Sequence, residues 1–101
     1  MPFTYENEQL TETAELLKAL AHPVRLCIVK GFFEHGACTV SVIQECLDVP
    51  QSTVSQHLAR LRRAGIIEGT RHGVEVHYEL VSPRVEQIIK CLFYSEGDEN
   101  Q

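Results

Sequence analysis

At 101 residues, 44% of them hydrophobic and 23% charged, the chain has the size and balance of one ordinary globular domain with a modest core. No apolar run approaches the ~18 residues of a membrane span, and the acidic start MPFTYENEQL lacks the apolar stretch of a signal peptide, so a cytoplasmic location without membrane attachment is expected. The formal net charge of −5 argues against nucleic acid only until its distribution is followed. Acids dominate residues 1–15 and 95–101, whereas residues 51–73 set Arg60, Arg62, Arg63 and Arg71 against Glu68 alone.

In chain order, residues 1–7 read as an N-terminal arm, 8–95 as the folded domain and 96–101 as a solvated acidic tail. Leu10, Ala14, Leu17 and Leu20 or Ala21 form one stripe of an amphipathic first helix over 8–21, with Asn7 or Thr11 as its cap. His22-Pro23 breaks it, and Pro23 suits the first turn of a second helix over about 23–34. Val24, Leu26, Cys27, Ile28, Val29, Phe32 and Phe33 give that helix an apolar girth fit for the centre of the domain.

His35-Gly36 ends the second helix. A short third helix over 40–47, capped by Thr39 or Ser41, turns Val40, Ile43 and Leu47 inward. Pro50 and Ser52 start a fourth helix that Gly65 stops. The period then changes from helical to alternating. Val74, Val76, Tyr78 and Leu80 alternate with Glu75, His77 and Glu79 as a half-buried strand, paired with 66–71 across a His72-Gly73 turn. Ser82-Pro83 opens a last helix to about Phe93, with Val85, Ile88, Ile89 and Leu92 on one face. The fold class is mainly α with a β-hairpin wing. Two helices joined by a short turn and followed at once by a two-stranded ribbon make a winged helix-turn-helix.

The fourth helix carries the chemistry. Val54, Leu58 and Leu61 share one face, while Ser52, Ser55, Gln56, Ala59, Arg60 and Arg63 share the other. Amides and hydroxyls can read base edges, and guanidiniums can hold phosphates. Nothing large and apolar on that face asks to be buried.

Three segments in order resemble the ArsR/SmtB family of bacterial repressors over about 13–93. ELLKALAHPVRLCIV is similar to the family's junction of helices 1 and 2, where an A-x-x-x-R-L pattern recurs as Ala21, Arg25 and Leu26. PQSTVSQHLARLRRAGII resembles its recognition helix, and GTRHGVEVHYEL its wing. AELLK and the late VEQIIK are features shared with metal-independent members. The resemblance implies a homodimer joined through the first and last helices and bound to an imperfect inverted repeat in double-stranded DNA at a promoter. It makes Gln51, Ser52, Ser55 and Gln56 base and phosphate contacts, places Arg60 and Arg63 nearer the backbone, and puts Arg71 and His72 at the wing tip. Thr53 and His57 complete the candidate set on the same helix.

The family's metal triggers are not expected here. Thr39, Ser41 and Gln44 stand where one site would need thiolates, and none replaces a soft ligand. Ser82 and Arg84 fall at the first pair of the other site, on a helix without histidine. His35, Cys38 and Cys46 match no zinc spacing, so a repressor with a non-standard metal site is only an alternative, and no cofactor is expected.

The cysteines read mainly as structural, Cys27 and Cys46 as small core residues. Cys38 before a helix, with Cys27 and Cys91, forms the candidate redox set. Cys27 and Cys91 lie on the helices that the resemblance pairs in thiol sensors, but are displaced from its positions near Lys30 and Gly97. No nucleophile–base pair, phosphate-cradling loop or carboxylate dyad suggests an enzyme. The remaining alternative is a winged-helix protein-interaction module, which calls for an apolar patch on the outer face of the fourth helix.

Overall fold

A computed structural model describes residues 2–94. The order is α1 (Glu8–Leu20), α2 (Pro23–His35), β1 (Cys38–Thr39), α3 (Val40–Leu47), α4 (Gln51–Arg63), β2 (Ile67–His72), β3 (Glu75–Leu80) and α5 (Pro83–Phe93). The acidic tail 96–101 lies outside the described residues. Among the described residues no helix is long and apolar enough to cross a membrane.

The helix starts follow local chemistry. Asn7 accepts from the Gln9 and Leu10 amides at the head of α1, Thr39 from Val42 at α3, and Ser82 from Val85 at α5. His22 caps α2 with Nδ1, accepting from the Val24 amide at 3.1 Å ahead of Pro23. The end of α4 is a Schellman turn: Ile66 N–H donates to Leu61 O, Gly65 N–H donates to Arg62 O, and Gly65 takes φ 75°. That turn sends the chain directly from α4 into the β2–β3 hairpin.

The core joins α2, α4, the α4–β2 corner and α5 through Val29, Val54, Leu61, Ile66, Ile67, Val85 and Ile89. The expected inner face of the fourth helix, Val54, Leu58 and Leu61, is buried. Packing that face inward leaves the opposite side of α4 outermost.

Three expectations need correction. The sheet has three strands in the order β1-β3-β2, because Cys38 and Thr39 pair with Tyr78 and His77. Two residues carry no period, so this strand cannot be read from sequence. The hairpin is displaced by one residue: His72 pairs with Glu75, and the turn is Gly73-Val74, with Gly73 at φ 66°. Glycine at the first of two turn residues is a favoured hairpin arrangement, and it leaves Val74 out of the strand at 96% exposure. Cys27 and Cys46 are exposed rather than core residues, because Ile28, Val29 and Phe32 supply the buried side of α2 and Ile43 that of α3. The apolar stripes on α1 and α5 keep Leu10, Leu17 and Leu92 exposed within one chain, since the small core is already closed by Ala19, Leu20, Val85 and Ile89.

Candidate nucleic-acid interface

The structure divides the candidate residues of α4 into two groups. Gln51, Ser52, Ser55, Gln56 and Arg63 are exposed on its outer side. None of the exposed large apolar residues lies on α4. This outer surface therefore offers amide, hydroxyl and guanidinium groups without an apolar patch. Arg60, Arg62 and Arg63 occupy the last turn, where cations also complement the helix dipole.

Thr53, His57 and Arg60 are half-buried and recur at helical spacing along a flank of α4. Arg60 and Arg63 open on a cleft of about 490 Å³ shared with Glu12 and Glu15 of α1 and Arg84 of α5. Arg84 was not a candidate in the sequence. It lies far from α4 along the chain, and its Nη2 donates to Thr13 Oγ1 at 2.9 Å.

His57 faces inward against two residues of the α1–α2 junction. Arg25 Nη1 lies 3.2 Å from His57 Nδ1, and the His22 and His57 ring centroids are 4.4 Å apart. Burial holds His57 below the ordinary histidine range, with His22 and Arg25 adding to the effect. Burial, followed by the charge of Arg60, also lowers Arg25. Arg25 entered the sequence reading only as part of a recurring pattern. An arginine inside the apolar run PVRLCIV at the start of α2 was the available signal that it holds something.

At the wing, Arg71 and His72 are exposed at the end of β2. Arg71 Nη1 donates to the Gly73 carbonyl at 3.3 Å, which ties it to the turn. The His72 ring meets His77 edge-on at 4.7 Å.

The cysteines separate. Cys27, Cys38 and Cys46 line one largely apolar cavity of about 430 Å³ between α2 and α3, with His35 at the same cavity. Cys91 is exposed on α5. Among the described residues, no group of three or more His, Cys, Asp or Glu is placed to hold a metal ion.

Residues 20–70 match a family model described as a helix-turn-helix domain. The transcriptional repressor PagR of Bacillus anthracis is 46% identical over 87 residues, covering 86% of this chain and 87% of that protein. Its crystal structure superposes with a TM-score of 0.77 over 83% of this chain and 95% of that one. HlyU from Vibrio cholerae, at 32% identity, gives a TM-score of 0.81 over 85% of this chain and 92% of that one. The homodimeric winged helix-turn-helix DNA-binding domain Mb0332 from Mycobacterium bovis, a possible ArsR-family regulator, gives 0.79 at 26% identity over 97% of this chain and 89% of that one.

Proposed function

This chain belongs to the ArsR/SmtB family of winged helix-turn-helix transcriptional regulators, and from that premise we propose a homodimeric repressor that occupies an imperfect inverted repeat at a promoter. The supporting observation is the outer side of α4, where Gln51, Ser52, Ser55 and Gln56 are exposed and Arg63 follows them. Amides bond adenine edges bidentately, hydroxyls serve bases or phosphates, and arginines along the backbone set affinity without reading sequence. Arg60 adds charge from the flank, and Arg71 and His72 supply the wing contact.

The exposed Leu10, Leu17 and Leu92 support dimerisation through α1 and α5. A twofold pair presents two reading helices to successive major grooves. The test is selection from a randomised duplex pool. The expected product is an inverted repeat with half-sites about 10 base pairs apart, or a multiple of that. Recovery of no preferred sequence overturns the reading.

The cavity between α2 and α3 favours a second layer, thiol control. Peroxide oxidises cysteine thiols and is itself reduced to water. Oxidation of Cys27 or Cys38, which line that cavity beside the helix preceding α4, displaces α3 and weakens operator binding. Cys91 on α5 is the other candidate thiol. Dithiothreitol is expected to restore binding after peroxide. An identical response from a cysteine-free variant overturns thiol control and leaves the DNA reading standing.

A further inference from the structure

We infer that Arg25 is a positioning residue for the reading helix, tying α4 to the end of α1 through a neutral His57. The guanidinium touches three places at once. Its Nε donates to the Ala19 carbonyl, Nη2 to the Lys18 carbonyl at 3.5 Å, and Nη1 lies 3.2 Å from His57 Nδ1. Lys18 and Ala19 belong to the last turn of α1, where the Lys18 carbonyl also accepts from the Ala21 cap amide at 3.2 Å and the Ala19 carbonyl takes the Arg25 Nε. Arg25 thus caps one helix and holds a second from a third.

The chemistry of the third contact sets its condition. Arginine has donors only, so Nδ1 must present a lone pair and the ring proton must sit on Nε2. A second proton on His57 places N–H against N–H. Among the described residues no carboxylate lies within salt-bridge distance of Arg25 or His57 to offset that. The charges that act on the pair are basic, and the acids Glu12 and Glu15 of α1 lie on the Arg60 cleft. His22 faces His57 from the α2 cap, Arg25 from α2, and Arg60 acts on Arg25 from α4. Lys18 contributes a carbonyl, its ammonium being paired with Glu15. Burial and these neighbours keep the ring neutral at neutral pH.

The consequence rests on the DNA reading above. Buried Val54, Leu58 and Leu61 hold α4 in the domain, but apolar packing is not directional. The Arg25 fork is directional, and its contact on α4, His57, is next to Gln56 in sequence. Protonating His57 therefore loosens the placement of the reading face without unfolding the domain.

The experiment uses the full chain and the tightest duplex recovered by selection at pH 7.5. Affinity is measured by fluorescence anisotropy at pH 7.5 and 5.5, and histidine rings and α4 amides are followed by NMR across the same range. The wild-type chain is expected to lose roughly ten-fold in affinity at the lower pH. His57→Asn sets an amide oxygen near the place of Nδ1, and the ratio of its affinities at the two pH values is expected to lose most of that pH dependence. Arg25→Gln is expected to weaken binding at pH 7.5 and to raise the His57 titration midpoint, with Arg25→Lys restoring only part of the affinity.

An unchanged pH profile in His57→Asn, or a His57 titration indifferent to Arg25→Gln, overturns the positioning role. So do α4 amide signals that do not move with His57 protonation, and this readout needs no DNA. Absence of any duplex binding by the wild-type chain overturns the DNA reading instead.

Discussion

The two most distinctive surfaces of this molecule are opposite in chemistry. The outer side of α4 is polar and cationic, with none of the chain's exposed large apolar residues. The surfaces of α1 and α5 keep Leu10, Leu17 and Leu92 in water. A small domain with a closed core has no folding reason to expose such leucines on two adjacent-function helices, and none to gather three arginines in one helical turn. Under the proposed function the contrast is a division of labour, with a second copy finishing one surface and a polyanion the other.

The largest effect is expected where that division is broken on the apolar side. Leu17→Glu combined with Leu92→Glu is expected to give a monomer with a native circular dichroism spectrum. Its operator affinity falls by about a hundredfold or more, because the two half-sites no longer bind as one ligand. Sedimentation and anisotropy together check this; a dimer that survives both charges places the interface elsewhere. A core cut affects both surfaces alike: Leu61→Ala is expected to cost about 2–5 kcal/mol in denaturant unfolding, since Leu61 is fully buried between them.

On the polar side the effects are smaller and should separate. Gln56→Ala is expected to lower discrimination between operator and mismatched duplexes by about 1–3 kcal/mol, with little change for random DNA. Arg60→Ala should weaken all duplexes similarly and reduce the salt slope by about one. Equal behaviour of the two variants in competition assays would erase the distinction between reading and holding.

The smallest effect is on stability. Because His57 is held below its ordinary value, the unfolded chain binds more protons than the native one in the intervening range. Its contribution is therefore complete above about pH 6.5 and is lost as pH falls through the folded value. Urea midpoints of the wild type and His57→Asn should converge on acidification, the wild type losing more.

Much of the fold was legible because it depends on near-neighbour chemistry. Asn7, Thr39 and Ser82 announce helix starts by what their side chains can accept, and Gly65 announces a stop by the φ it can adopt. The hairpin was legible only to within one residue, since His72-Gly73 and Gly73-Val74 both satisfy a glycine-containing turn and cross-strand register decides between them. The outer face of α4 was legible because Val54, Leu58 and Leu61 fix which side goes in.

The sequence by itself determined the order of the five helices and the hairpin, the polarity of α4 and the positive island within an acidic chain, because periodicity, capping and charge are local properties. Only the tertiary structure decided that β1 joins the wing and that Cys27, Cys38 and Cys46 share one cavity. It also decided that His57 leaves the outer face to meet Arg25, 32 positions away. A half-buried flank looks the same in sequence whether it meets water, phosphate or another helix, and only the packing of α2 against α4 selects among them.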